Sequence, residues 1–275
     1  RLASAFAKEH KINIVAPFKL KHENLVVTNP YIFLSNPSDE TEVANISSFL
    51  AKTYDKSIVM IHNGTDEELE IIEMYKNKLV KSFASDNYIN EIVFKQVNFK
   101  TGGATAVEDA LSVGLHNIVI VPSSDPVFIT NLVTKLNYLT NKYKITVYGM
   151  SAWEQSRNIE IGYLRNLKFH YGTTSYIDYE NKSVKNFDYQ YKTYFKSEPT
   201  PFSYMGYDIT YFFLNTMKDY GRLFQFCMPH SGETNYTEGL RFDFNFERVS
   251  PFSGFENNWL RIVKIDDELK IQKVK

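Results

Sequence analysis

Cysteine is all but missing. Cys227 stands alone among 275 residues, which excludes an internal disulfide framework and a four-cysteine zinc site while leaving a reduced cytosol and a disulfide-free periplasm equally open. An excess of charge of one sign is missing too. With 31 basic and 32 acidic residues the formal net charge is −1, so no global field draws the chain to nucleic acid or to an anionic membrane surface. Partners must be recognised locally, and none is expected to be nucleic acid. No apolar run approaches the roughly 18 residues of a membrane span, and no apolar leader follows Arg1, so any export signal is expected upstream.

Signatures of chemistry are equally scarce. The six histidines, His10, His22, His62, His116, His170 and His230, form no H-x-H or H-E-x-x-H pair, and no metal is expected. There is no G-x-S-x-G elbow, no G-x-x-x-x-G-K-[ST] loop and no G-x-G-x-x-G after a strand, so no cofactor is implied. The glycines of "TGGATAVED" precede a helix without the lysine or spacing of a phosphate cradle, and a turn is the better reading. Cys227 and His230, three apart beside Pro229, read as a buried small thiol near a helix end rather than a nucleophile and its base. Four N-x-[ST] triplets, at Asn45, Asn63, Asn181 and Asn235, are what chance supplies in so Asn-rich a chain.

What is present is an alternation of short apolar runs and amphipathic segments. Hydrophobic content of 43% is ample for real cores, and the length suggests two lobes. "INIVA" (12–16), "SIVMIH" (57–62), "EIVF" (91–94), "NIVIV" (117–121), "KITVYG" (144–149) and "LKFHY" (167–171) read as strands of a parallel sheet. Between them, Val43, Ile46, Phe49 and Leu50 share one helical face, as do Leu69, Ile72, Leu79 and Val80. Thr65 and Glu68 form a capping-box pattern, a cap rather than a metal site, and Gly114 falls where a left-handed helix-end residue is expected. After residue 172 two aromatic-rich helices are broken by Glu198-Pro199, the second ending at Gly221. "RFDFNFERV" and "NWLRIVKI" then suggest a terminal hairpin around "SPFSGFENN".

Candidate binding residues follow from where parallel strands end. Ligands of open parallel sheets sit beyond the carboxyl ends of the strands, where helix N-termini present unpaired N–H groups. "PSSDP" after "NIVIV" offers Ser123 and Ser124 as hydrogen-bonding groups and Asp125, followed by Pro126, as a helix cap. "YGMSAWEQ" supplies Ser151, Trp153 and Glu154, and "HYGTTSYIDY" supplies Tyr171, Thr173, Thr174 and Tyr176. Hydroxyls around an aromatic ring suit a small polar ligand, whereas a loop that only caps a helix and a tryptophan that only packs a core remain the plain alternatives.

The segments "NPYIFLSNPSDETEVANISSFLAKTYDKSIVMIHNG", "NIVIVPSSDPVFITNLVTKLN", "EPTPFSYMGYDITYFFLNTMKDYG" and "FNFERVSPFSGFENNWLRIVKI" together resemble the type I periplasmic binding proteins. These are the bilobed solute receptors of branched-chain amino-acid ABC transporters, and the likeness is to bacterial envelope members that carry a LysM peptidoglycan-binding module upstream. The resemblance implies an α/β, bilobed fold with parallel sheets flanked by helices. It places lobe one, truncated at its N-terminus, in residues 1–35 plus 172–255, lobe two in 36–168, and in 256–275 a terminal strand at the hinge or in lobe two. A whole member carries on the order of a hundred further residues before this point, so lobe one is expected to expose strand edges or helix faces that invite a partner, a swap or a dimer. Ser123 matches a ligand-facing position of the family. Where amino-acid-binding relatives hold the carboxylate this chain has Phe18 and Lys19, and where they clasp the ammonium it has Ser151, with Glu154 three residues on. A buried ammonium without a carboxylate costs several kcal/mol, which disfavours a free α-amino acid.

Three readings of function stand at this stage. One is a non-catalytic receptor of the periplasm or cell envelope that closes its lobes on a small polar ligand in an interlobe cleft. A second is a ligand-free envelope scaffold that uses the same fold for protein or peptidoglycan contacts. The third, an α/β enzyme, needs an acid, base or nucleophile constellation that the sequence does not display.

Overall fold

The computed structural model describes residues 2–19, 24–53, 57–84, 93–153, 156, 158–228, 236–237 and 239–274. The chain divides into two units, Arg1–Ser38 with Thr174–Leu260 and Asp39–Thr173 with Arg261–Lys275, so it passes between them after Ser38, after Thr173 and after Leu260.

Unit 1 begins with α1 (Leu2–His10), β1 (Ile14–Ala16), α2 (Asn24–Thr28) and β2 (Ile32–Leu34). Unit 2 continues with α3 (Asp39–Thr53), β3 (Ser57–His62), α4 (Asp66–Ala84), β4 (Val93–Asn98), α5 (Phe99–Ala110), β5 (His116–Ile120), α6 (Pro126–Leu139), β6 (Lys144–Gly149), α7 (Ile161–Asn166) and β7 (His170–Thr173). Back in unit 1 come α8 (Lys182–Phe195), α9 (Pro201–Tyr220), α10 (Phe224–Cys227), β8 (Tyr236–Thr237), β9 (Phe244–Arg248) and β10 (Phe255–Asn257). The chain closes in unit 2 with β11 (Arg261–Ile265) and β12 (Ile271–Lys273).

The sheet of unit 2 has the order β12-β11-β7-β6-β5-β3-β4. Strands β7, β6, β5, β3 and β4 run parallel, and β11 and β12 add an antiparallel edge. All six residues of β3 are buried, as are the last four of β5, the pattern of strands covered on both faces. That is why β-branched runs without alternation form these strands: burial on both faces leaves no position that favours a polar side chain. The predicted face of α3 is buried at Val43, Ile46, Phe49 and Leu50; on α4 Ile72 and Leu79 are buried as predicted, whereas Val80 is 47% exposed and the buried face runs through Tyr75 and Phe83 instead. Asn117 pins the start of β5: its Oδ1 accepts the Ser112 N–H at 2.8 Å and its Nδ2 donates to the carbonyls of Ser112 and Lys144.

Unit 1 has the order β1-β2-β10-β9-β8, with β1, β2 and β10 parallel and β9 and β8 antiparallel. Its core is aromatic. Phe33, Phe212, Phe213, Phe224, Phe244, Phe246 and Phe255 form one cluster, in which Phe33 stacks on Phe255 at 4.7 Å and the Arg248 guanidinium covers the Phe255 ring at 4.4 Å. Asp208 of α9 is buried beside it and accepts the backbone N–H groups of Leu240, Arg241 and Phe242, fixing the entry to β9. Burial pushes this carboxyl up from its ordinary value, and the three N–H donors pull it back in part.

Two local expectations are corrected and one is refined. The "TGG" stretch breaks the chain as a turn would: a first helical turn from Phe99, capped by the Asn98 side chain, is separated from the rest of α5 by a kink at Gly103, whose φ of 61° and ψ of −160° are not helical. Strand β7 starts at His170 rather than Leu167, because α7 runs to Asn166 and Lys168, at φ 46°, turns the chain. The hairpin partner of "RFDFNFERV" is Phe255–Asn257, and the "NWLRIVKI" stretch crosses into unit 2, where β11 pairs with β7 and β12. The polar Asn257 can lie in a buried strand because its amide is satisfied by the Ser35 and Asp243 carbonyls and the Asn245 N–H.

Candidate functional site

Three neighbouring parallel strands of unit 2 deliver loops to one rim. β5 ends at Ile120, β6 at Gly149 and β7 at Thr173, and because they run parallel side by side, "PSSDP", Met150–Trp153 and Thr173 all lie at the carboxyl end of the sheet. Ser123, Ser151 and Thr173 are thereby brought to the same end of unit 2.

Their side chains differ in what remains to offer. Asp125 caps α6, accepting the N–H groups of Val127 at 2.9 Å and Phe128 at 3.3 Å, with Pro126 at the first helical position. Ser123 is buried, and its Oγ accepts the Asp125 N–H at 3.2 Å, so this hydroxyl helps to shape the loop. Ser124 and Asp125 are exposed. Ser151 is exposed at the start of a single 3₁₀ turn, Ser151–Trp153. Trp153 is only 1% exposed: its ring stacks on Phe169 at 5.1 Å and its Nε1 donates to the Ser123 carbonyl at 2.8 Å. The indole therefore braces the loop from below. Gly149 makes room for it, since a Cβ there would stand 2.9 Å from the Trp153 ring and 2.8 Å from Phe169. Glu154 lies outside the described residues.

Thr174 belongs to unit 1. It is buried, and its Oγ1 donates to Asn36 Oδ1 at 2.9 Å within that unit. Phe18, also of unit 1, is exposed and meets Phe202 edge-on at 6.1 Å. Cys227 is exposed rather than buried, and His230, its proposed neighbour, lies outside the described residues. The Thr65–Glu68 pattern is a true capping box: Glu68 N–H donates to Thr65 Oγ1, and Glu68 Oε2 accepts the N–H groups of Asn63 and Thr65. Among the described residues no three His, Cys, Asp or Glu side chains form a group that could hold a metal ion.

The same rim holds a small recess that pattern reading missed. Asp39, Glu42, Tyr75, Pro122, Gly149 and Met150 line it. Its volume is about 20 Å³, enough for a single water. Tyr75 is buried there, and its phenol is pushed far up, first by burial and then by the charges of Glu42 and Asp39. Among the described residues no lysine or arginine lines the recess, and Asp39 and Glu42 make the described lining acidic. The signal was present in "DETE", but acids in a helix's first turn read equally well as partners of its dipole.

No family model and no curated protein matches the chain. Solved structures do. An ABC transporter substrate-binding protein from Desulfitobacterium hafniense, in complex with Leu, aligns with a TM-score of 0.65 at 11% identity over 99% of this chain and 76% of that one. The leucine-binding protein LivK of Thermotoga maritima gives 0.62 at 12% identity over 99% and 75%. Full-length LpoA of Haemophilus influenzae gives 0.57 at 12% identity over 99% of this chain and 50% of its own. At such identities the likeness establishes the fold, which is that of the type I periplasmic binding proteins.

Proposed function

We propose that the protein is a non-catalytic solute-binding receptor of the bacterial cell envelope that takes a small polar ligand at the carboxyl rim of unit 2. The observation that supports this reading is the convergence of Ser124, Asp125 and Ser151, all exposed, on loops from the adjacent strands β5 and β6. Asp125, Asp39 and Glu42 make that rim acidic, so a neutral or cationic ligand suits it better than a free carboxylate. Solved structures of the same fold were obtained with Leu and with benzoate. Here the carboxylate of either would meet no lysine or arginine among the recess residues.

A second reading, the ligand-free envelope scaffold, draws on one observation: with Trp153 buried beneath the loop, the recess holds no more than a water. Thermal shift of the full chain against neutral sugars, nucleosides, amino acids, polyamines and muropeptides separates the two. A ligand at a hundred times its dissociation constant adds about 2.7 kcal/mol of stability. Ser124→Ala with Ser151→Ala should weaken such a ligand by about 1 kcal/mol per lost hydrogen bond without altering the free protein. Ser123→Ala should instead lower stability by about 1 kcal/mol even without ligand, because the Asp125 N–H loses its acceptor. A flat response across the panel, together with co-sedimentation with cell-wall sacculi, would favour the scaffold.

A further inference from the structure

Unit 1 holds a recess that has no part in the rim of unit 2. It has a volume of about 230 Å³ and lies between the start of α8, one flank of α9 and the turn that leads into β9. A cavity of about 150 Å³ takes benzene, so this one has room for a single ring with its substituents. Helix α9 separates it from β1: Ile209 and Phe213 line the flank that meets Val15, whereas Tyr207 and Tyr211 line the flank that meets α8. Strand β9, which lends Phe244 to the lining, is itself parted from β1 by β2 and β10. A strand added beside β1 therefore leaves the recess as it is.

Its base is apolar and its margin polar. Val184 and Phe244 are buried, while Tyr207 and Tyr211, 44% and 50% exposed, hold their rings nearly parallel at an interplanar angle of 10°. The two phenol hydroxyls, the Ser183 hydroxyl and Asn181 Nδ2 make no hydrogen bond among the described residues, since Asn181 spends only its Oδ1, on the Ser183 N–H at 2.8 Å. Asp208 also lines the recess. Its carboxylate accepts the three N–H groups of Leu240, Arg241 and Phe242, which leaves one of its roughly four acceptor positions unfilled among the described residues. No lysine, arginine or histidine is among the described lining residues, so an anion finds no partner there. A cation gains little from a carboxylate whose charge three N–H dipoles already meet. A purely apolar ring would strip water from hydroxyls and an amide that it cannot bond. A sugar ring, with C–H faces edged by hydroxyls that both donate and accept, meets the aromatic and the polar groups together. We propose that this recess binds one ring of a neutral saccharide, with a C–H face on the Tyr207 and Tyr211 rings and hydroxyls on Asn181, Ser183 and Asp208. The inference does not rest on the receptor reading, because it uses no residue of unit 2.

Its test is calorimetric titration and saturation-transfer NMR of the full chain with glucose, galactose, mannose, N-acetylglucosamine and chitotetraose. Glucuronate and phenol stand beside them as a charged ring and a ring without the array of hydroxyls. Saturable binding of at least one neutral sugar is expected, weakened about tenfold or more by Tyr211→Ala and by Asn181→Asp and retained by Tyr211→Trp. Asn181→Asp keeps the oxygen that caps α8 and removes only the donor, and Tyr211 is half exposed, so both variants should fold. Ser124→Ala with Ser151→Ala should leave this binding unchanged, which separates the recess from the rim of unit 2. Chitotetraose binding about tenfold tighter than N-acetylglucosamine would support the proposal with a glycan chain as the source, and equal binding would support it with a free sugar. The proposal is overturned if no neutral sugar saturates, if glucuronate or phenol binds as tightly, if Tyr211→Ala has no effect, or if the Ser124 and Ser151 substitutions abolish the binding instead.

Discussion

His170 makes unit 2 acid-sensitive by an amount that can be worked out. The ring is 5% exposed on β7, stacked on Tyr148 of β6 at 4.9 Å, and its Nδ1 bonds to the Lys168 carbonyl. Burial is the first cause that holds its pKa down, to about 4, against the pull of the Lys168 carbonyl; the charges of Lys264, Lys168 and His116 add to the depression. Above pH 6.5 the ring is neutral whether the chain is folded or not. As pH falls from about 6.5 to about 4, the unfolded chain takes up a proton that the folded chain refuses, so stability is lost across that window and levels off below it. At about 1.4 kcal/mol per pH unit the loss is about 3 kcal/mol. His170→Phe keeps a ring against Tyr148 and removes the proton. It should cost about 1 kcal/mol at pH 7, where the Lys168 carbonyl loses its donor, and make the protein the more stable of the two at pH 4. Urea unfolding followed by Trp153 fluorescence in a Trp259→Phe background reads unit 2 alone, since Trp153 lies in unit 2 and Trp259 in unit 1. Carboxylates titrate in both proteins and cancel. Stability curves that fall in parallel from pH 6.5 to pH 4 would refute the reasoning.

Two further substitutions probe the packing on which each unit depends. Gly149→Ala should cost about 1–3 kcal/mol, since its methyl would press on two stacked rings; a weakening of Trp153 burial, read as a red-shifted emission, should accompany it. Asp208→Asn should cost about 2 kcal/mol in chemical denaturation, because an amide nitrogen would face a backbone N–H where a carboxylate oxygen now accepts one; an unchanged midpoint would show that the Leu240–Phe242 turn does not need it.

The sheet of unit 2 was legible because its strands are buried on both faces. "SIVMIH" and "KITVYG" match β3 and β6 residue for residue, since a continuous apolar run bounded by polar residues leaves little else to form. The two helices around Glu198-Pro199 were legible for a different reason, since proline cannot continue a helix, and the break falls where α8 ends at Phe195 and α9 begins at Pro201. What escaped were features decided by distant partners. Asn257 sits in a strand because the Ser35 carbonyl waits for its amide, 222 residues away in sequence, and no local pattern can carry that. Trp153 could be read as a ligand platform or as core, and only the stacking of Phe169 behind Gly149 separates the two. The acids at the start of α3 carried two meanings at once, a helix dipole's partner and the wall of a recess, and sequence offers no means to choose.

Hydrogen bonding limits what the rim of unit 2 can still offer to a ligand. In unit 2 the polar groups near the rim are largely spent within the fold: Asp125 on α6, Glu68 on α4, and Ser123 on both the Asp125 N–H and, through its carbonyl, Trp153. A ligand there must use exposed hydroxyls and a negative field, which gives specificity by orientation and sign more than by buried area.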